Sequence, residues 1–128
     1  MVSDPISNEE KIPVWCKGKE WCALKSTSKI LGHKWVPVIV YHIYNNESLR
    51  FSEIKQEIGG ITNKTLSNNL SRLQEQGIVD REVEDDKPVK ITYSLTEFGE
   101  KIVPLVKEMI SWGQDNLKEG SKDKAWIT

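Results

Sequence analysis

Two cysteines and two histidines are the side chains of this sequence best suited to metal binding or thiol chemistry. They are Cys16, Cys22, His33 and His42. A structural zinc site needs converging ligands, usually with about two to four residues between its cysteines, whereas five residues separate the cysteines here. A thiol oxidoreductase typically has about two residues between its cysteines, next to a strand and a helix. Neither pattern is present, so we predict no metal site and no thiol enzyme.

Other catalytic patterns are also missing from the sequence. It contains no nucleophile with an ordered base, no glycine-rich phosphate loop and no paired carboxylates outside charged runs. His42 lies on an apolar stripe, which is typical of a hydrogen-bonded core histidine, and His33 is expected at a solvated corner. We therefore predict that the protein is not an enzyme and needs no cofactor.

A polar helix face over residues 62–77 is the strongest candidate for a functional surface. Three leucines form one stripe of this helix and Thr62 is placed as its N-cap. At about 100° per residue, the opposite face carries hydrogen-bonding side chains that can reach base edges from the major groove. Its members are Lys64, Ser67, Asn68, Ser71 and Glu75, with Asn63 at the start and Arg72 to one side. Asn68 suits adenine and Lys64 suits guanine or a phosphate, although a solvated helix surface has a similar composition.

The segments before this helix predict a helix-turn-helix. Amphipathic spacing indicates helices over 21–31, about 34–44 and about 51–58, the last with Ser52 as its cap. The motif "GHKW" is the corner between the first two helices. The motif "GGIT" supplies a tight turn between the third helix and the polar one, which is the helix-turn-helix arrangement.

The segments after the polar helix predict a wing and a final helix. "IVDREV" and "VKITYSL" alternate like strands about the polar tip "EDDKP". Thr96 is expected to cap one long helix, which Pro104 should bend from inside. The predicted fold class is α+β, mainly α: a winged helix-turn-helix with a two-stranded wing and a long C-terminal dimerisation helix.

The last helix has more apolar surface than one core can use, which predicts a homodimer. The interface candidates are Trp21, Ile102, Leu105, Met109 and Trp112. The predicted organisation is an N-terminal arm over 1–20, a DNA-binding domain over 21–95, a dimerisation helix over 96–118 and a polar tail over 119–128.

Composition limits the possible partners. The chain has 128 residues, of which 38% are hydrophobic and 29% charged, and a net charge of -1, which fits one domain without an overall basic surface. A nucleic-acid partner would therefore meet a local patch. We find neither a long apolar run nor a signal-peptide pattern, so we expect a cytoplasmic protein with cysteines kept as thiols.

The basic side chains available for phosphate contacts are few. The candidates are Arg50, Lys55, Arg72, Lys87 and Lys90. Between residues 80 and 93 the wing carries five acids against three bases. Phosphate contacts supply most non-specific affinity, so an acidic wing also favours an alternative: a winged-helix module that binds protein and not DNA.

Several motifs resemble one family. Cys22 stands thirteen residues before Trp35, and "LGHKW", "RFSEIKQEIGGIT", "LSNNLSRLQEQGIVDR" and "YSLTEFGEKIVPLVKEMISWG" follow in order. From Cys22 to about Gly113 the chain resembles the HxlR family of winged-helix transcriptional regulators, relatives of the MarR group. The resemblance implies a dimer on double-stranded DNA with a pseudo-palindromic operator. It places the polar helix in the major groove, the wing near the minor groove, and the first and last helices at the dimer interface.

The resemblance also implies a redox role for Cys22, because several family members sense oxidants or electrophiles at this position. The positive end of the helix dipole and the neighbouring Lys19 and Lys25 favour its thiolate. Cys16 is a candidate resolving partner, or the cysteines of two copies pair across the dimer. The alternative is an inert buried thiol.

Overall fold

The computed structural model describes residues 20–84 and 88–117. These ranges contain six helices and three strands. In chain order they are α1 (Glu20–Leu31), α2 (Val36–Asn46), β1 (Ser48–Arg50), α3 (Phe51–Ile58), α4 (Asn63–Glu75), β2 (Val79–Glu84), β3 (Lys90–Leu95), α5 (Glu97–Glu100) and α6 (Val103–Asn116). None of these helices is long and apolar enough to cross a membrane.

The strands form one antiparallel sheet in the order β1-β3-β2. The predicted hairpin is present as β2 and β3, and its tip at residues 85–87 lies outside the described residues. The short extended piece before α3 joins the hairpin as a third strand, with Leu49 opposite Tyr93. Leu49 is buried between exposed neighbours, so its burial against the core fixes which side of β1 faces inward.

The core lies between the helices and one face of the sheet. Isoleucine, leucine and valine side chains from α2, α3, α4 and α6 meet there with the start of β2. The fully buried members include Ile39, Ile43, Ile54, Leu66, Leu73 and Ile78. The helix-turn-helix is therefore supported from behind by a continuous apolar layer, which leaves its other side open to solvent.

The corner between α1 and α2 requires a glycine for its close backbone approach. The N–H of Gly32 donates to Ser28 O at 2.7 Å, and a Cβ on Gly32 would collide with that oxygen. Trp35 is the N-cap residue of α2 and packs half-buried against the core. Pro37 is tolerated because it lies in the first turn, where its missing N–H has no partner to lose.

The predicted cap of α3 is wrong. Ser52 lies inside the first turn, and the N-cap residue is Arg50, whose backbone N–H donates to the Glu53 carboxylate at 2.8 Å. The reason is that β1 continues directly into α3. Its last extended residue therefore occupies the cap position, and the acid three residues later supplies the acceptor.

The predicted single helix after β3 is two helices. Thr96 caps the first of them, α5, through a hydrogen bond from Gly99 N–H at 2.9 Å. The chain then breaks before α6, where Pro104 lies in the first turn. A proline inside a helix loses one backbone hydrogen bond and its ring clashes with the preceding turn, so the helix restarts before Pro104 and is not bent by it.

A tight joint connects α5 to the start of the wing. Thr96 Oγ1 donates to Gly77 O at 2.6 Å, and Thr96 N–H donates to Ile78 O at 3.0 Å. Gly99 is buried against the same segment, and a Cβ there would collide with Ile78 O. This joint fixes the position of α5, and hence the start of α6, relative to the sheet.

Candidate nucleic-acid interface

The turn before α4 depends on glycine. Gly59 and Gly60 have φ angles of 68° and 72°, a region that side chains with a Cβ rarely adopt. Thr62 then caps α4 as predicted, accepting a hydrogen bond from Thr65 N–H at 3.1 Å. This turn and cap determine where the first residues of α4 are presented.

The buried stripe of α4 is the one predicted from the sequence. Leu66, Leu70 and Leu73 are at most 2% exposed. Inside the same helix, the Asn69 side chain donates to Thr65 O at 2.8 Å, so these two partly buried groups satisfy each other. Sequence reasoning missed this pair, although the spacing of four residues on a helix permits it.

The opposite face of α4 is exposed where the sequence placed it. The exposed residues are Asn63, Lys64, Ser67, Asn68, Ser71 and Glu75. Only Lys64 near the start and Glu75 at the end carry charge among them, and Arg72 is partly buried to one side. The central part of this face therefore consists of neutral side chains that can both donate and accept hydrogen bonds.

The remaining basic candidates differ in exposure. Arg50 is exposed at the start of α3, whereas Lys55 on α3 and Lys90 on β3 are partly buried. Lys87 lies outside the described residues. The described members of this set come from four elements: β1, α3, α4 and β3.

The wing has an acidic outer face. Directly paired residues point to the same side of a sheet, and Asp80, Glu82 and Glu84 face the same side as their partners on β3. Across β3, Arg50 and Glu82 both pair with Thr92, so the arginine shares this face with the acids. Lys90, which pairs with Glu84, lies on the same face, so this face carries three acids and two bases.

Apolar side chains cover the outer surfaces of α1 and α6. Trp21, Leu24, Leu105, Met109 and Trp112 are each 47 to 68% exposed. The predicted apolar stripe of α1 is thus mostly exposed, and the buried residues of this helix are Cys22 and Ile30. Ile102 differs from the other interface candidates because it lies within the core at 8% exposure, which removes it from any surface available to a partner.

A shallow apolar groove of about 390 Å³ separates α2 from α6. Its lining consists of Pro37, Val38, Tyr41, Val106, Met109 and Ile110. The groove therefore adjoins the exposed face of α6 through Met109.

Cys22 is 1% exposed and disulfide-bonded in the structure. The expectation that it is a thiol, drawn from the reducing cytosol, therefore differs from what the structure shows. Cys16, the other cysteine of the sequence, lies outside the described residues.

The two histidines lie in different surroundings. His33 is exposed at the corner, as expected. His42 is hydrogen-bonded but only partly buried, so the prediction of a core histidine is wrong in its location. Its partner is Glu57, fifteen positions away, which sequence spacing does not reveal. Within residues 20–84 and 88–117, no three His, Cys, Asp or Glu side chains form a cluster suited to a metal ion.

The architecture defines the class of the protein. A helix-turn-helix made of α3 and α4, followed directly by a β-hairpin, is a winged helix-turn-helix. The chain belongs to the HxlR-like helix-turn-helix family, whose model matches residues 30–121.

Similarity to individual proteins, in sequence and in structure, supports the same family assignment. The chain is 39% identical over 98 residues to the HTH-type transcriptional regulator YybR of Bacillus subtilis, covering 77% of this chain and 78% of that protein. It is similar to the redox regulator HypR in its oxidized form, with a TM-score of 0.70 and 38% identity, covering 74% of this chain and 97% of HypR. It also matches the reduced form of the transcriptional regulator YodB of B. subtilis, with a TM-score of 0.67 and 31% identity over 77% of this chain and 96% of YodB.

Proposed function

We propose that this protein is a transcriptional regulator that binds a pseudo-palindromic DNA operator as a homodimer through α4. The observation that carries the proposal is the neutral, exposed polar face of α4 opposite three buried leucines. In a winged helix-turn-helix this helix is the one that enters the major groove. Membership of a family of transcriptional regulators supports the same function.

In this proposal the residues of α4 have different roles. Asn68 and Ser71 contact base edges, and Lys64, in the first turn, contacts guanine or a phosphate. The positive end of the α4 dipole lies at the same turn and favours a phosphate there. Arg50, Lys55, Arg72, Lys87 and Lys90 are the further phosphate-contact candidates.

The homodimer follows from the exposed apolar face of α6. Leu105, Met109 and Trp112 form a surface that would bury its area against a second copy. Two-fold symmetry would place the two copies of α4 about 34 Å apart, one turn of DNA.

Operator binding is tested by fluorescence anisotropy with duplex DNA from the promoter beside the gene itself. Asn68→Ala and Lys64→Ala should each weaken binding by about 1 to 3 kcal/mol, because each removes a specific contact. Glu100→Ala, an exposed change on α5, is the control and should leave affinity unchanged. Wild-type levels of binding by both α4 variants would rule out this docking.

A protein-binding module remains the second candidate, and the acidic outer face of β2 favours it. That function predicts no preference for promoter DNA over a scrambled duplex at moderate salt. The same anisotropy experiment separates the two functions, because specific DNA binding requires that preference.

We further propose that Cys22 links operator affinity to redox state. Its disulfide supports this, as does the similarity to a protein named as a redox regulator. Two thiols, from Cys22 and either Cys16 or a cysteine of a second copy, lose two electrons and two protons to a peroxide, which is reduced to water. Cys22 lies on α1 beside the exposed Trp21, so the change would alter the proposed dimer surface.

The redox proposal is tested by measuring operator affinity in dithiothreitol and after mild peroxide or diamide. The wild type should change affinity by about fivefold or more between the two conditions, a typical coupling between two sites. Cys22→Ser should bind the operator with the same affinity under reducing and oxidising conditions. Equal affinity of the wild type in both conditions would leave Cys22 without a regulatory role.

A further inference from the structure

A cluster of three polar side chains joins α2 to the end of α3. His42 Nδ1 and Glu57 Oε1 are 2.9 Å apart, and Asn46 Nδ2 donates to the same carboxylate oxygen at 3.2 Å. Asn46 Nδ2 also donates to His42 O at 2.8 Å. We call His42, Asn46 and Glu57 the α2–α3 clasp.

The position of Glu57 is unfavourable without these partners. It lies in the last turn of α3, where the helix dipole disfavours a negative charge. His42 and Asn46 lie in the last turns of α2, where donors meet the negative end of that helix. The clasp therefore places complementary groups at the ends of two helices.

The clasp lies just before the turn that leads to α4. Glu57 precedes Gly59 by two residues, and both glycines of the turn have positive φ angles. No Cβ is present at either glycine to limit the turn. Ile58 before the turn and Ile61 after it pack with the core, and the clasp adds a polar contact between the end of α3 and α2.

The clasp also adjoins a residue of the groove between α2 and α6. The Tyr41 ring meets the His42 ring edge-on at 5.6 Å, and Tyr41 lines the groove against α6. A molecule bound in that groove would touch Tyr41, and Tyr41 in turn contacts His42 of the clasp.

We propose that His42, Asn46 and Glu57 are positioning residues that fix the direction in which α4 leaves the turn. This rests on the proposed function of α4 in DNA binding. Partly exposed ion pairs add little to overall stability, and Glu57 is 38% exposed. The consequence of losing the clasp should therefore be local movement and weaker operator binding, with the folded state retained.

The test compares Glu57→Ala, Glu57→Gln and the control Gln56→Ala in the full chain. Glu57→Ala removes the acceptor, whereas the amide oxygen of Glu57→Gln still accepts from His42 and Asn46. Gln56 is an exposed neighbour on the same helix. Each protein is measured by amide hydrogen exchange and by operator anisotropy.

Glu57→Ala removes the contacts of the carboxylate with both His42 and Asn46. Exchange of the Gly59 amide and of the first turn of α4 should therefore be faster by about threefold or more, a factor that one lost hydrogen bond already accounts for. The Ile39 amide, bonded to Trp35 O in the core helix, should keep its rate. Operator affinity should fall by a similar factor. Glu57→Gln and Gln56→Ala should match the wild type in both measurements.

Unchanged exchange in Glu57→Ala would overturn the clasp. Faster exchange with unchanged operator affinity would overturn its positioning role. If the wild type binds no operator, the proposed function of α4 fails, and the positioning role fails with it. The exchange measurement then still decides whether the clasp holds α3 on α2.

Discussion

The helix-turn-helix and the outer helices place their apolar side chains in opposite ways. In α4 the three leucines are buried and the polar side chains face solvent. In α6 the valines at 103 and 106 are buried, while Leu105, Met109 and Trp112 face solvent. The helix-turn-helix completes its core within one chain, whereas α6 has a second apolar face that stays exposed among residues 20–84 and 88–117.

The buried face of α4 and the exposed face of α6 should contribute to the free energy of unfolding in different ways. Burial around α4 is independent of protein concentration, because all of its contacts lie within the chain. Burial of the outer face of α6 in the proposed homodimer would depend on concentration, because a second copy of the chain would supply it. Substitutions on the two faces should therefore behave differently in the same unfolding experiment.

The largest effect is expected in the core beneath α4. Leu66→Ala should lower the free energy of unfolding by about 2 to 5 kcal/mol, because it leaves a cavity at a fully buried site. Urea unfolding at two protein concentrations measures it, and the loss should be the same at both. Leu105→Ala should instead show a loss that shrinks as concentration falls, because both proteins then become monomers and no longer gain stability from the proposed dimer. A loss below about 1 kcal/mol for Leu66→Ala would contradict the packing of α4.

The next effect concerns the exposed face of α6. Trp112→Glu places a charge on the proposed dimer surface, and large aromatic residues at interfaces typically contribute about 2 kcal/mol or more. The dimer dissociation constant should rise by about thirtyfold or more in sedimentation equilibrium. Gln114→Glu adds the same charge at an exposed neighbour and is the control. A wild type that sediments as a monomer at micromolar concentration would contradict the proposed dimer surface on α6.

The joint between α5 and the wing gives a smaller effect. Gly99→Ala should destabilise the fold by about 1 to 3 kcal/mol, because the new methyl group collides with the backbone of Ile78. The matched control is Gly113→Ala on α6, where the nearest atom outside the backbone is Leu117 Cδ1 at 3.8 Å. That change should be neutral or stabilising, because alanine favours a helix. Equal thermal midpoints for both variants would show that α5 can move away from Ile78.

Sequence reasoning succeeded where the local pattern and the final packing agree. The leucine stripe and Thr62 define α4 from neighbouring residues alone, and the structure has the same buried face and cap. It failed where contacts between residues far apart in the sequence determine the structure. The pairing of Leu49 with Tyr93 made β1 a strand of the sheet, and His42 found its partner on another helix.

The break between α5 and α6 is a different case, because its signal was local. Pro104 was visible in the sequence, but a proline permits either a kinked helix or a new helix start. The joint at Thr96 and Gly99 fixes α5 against Ile78, and this contact between distant residues accompanies the break before α6.

The smallest effect compares the basic side of the interface with the acidic wing. Arg50 is exposed but shares its sheet face with Glu82, which would weaken its proposed phosphate contact. Arg50→Ala should make the slope of log binding constant against log salt concentration shallower by at most about 0.9, the value for one full phosphate contact. Anisotropy between about 50 and 200 mM salt measures this slope. Lys107→Ala removes the same charge from a side chain that lies 5.3 Å from the Tyr44 ring centre, and it should leave the slope unchanged. Equal slopes for the two variants would mean that Arg50 acts only through the net charge of the protein.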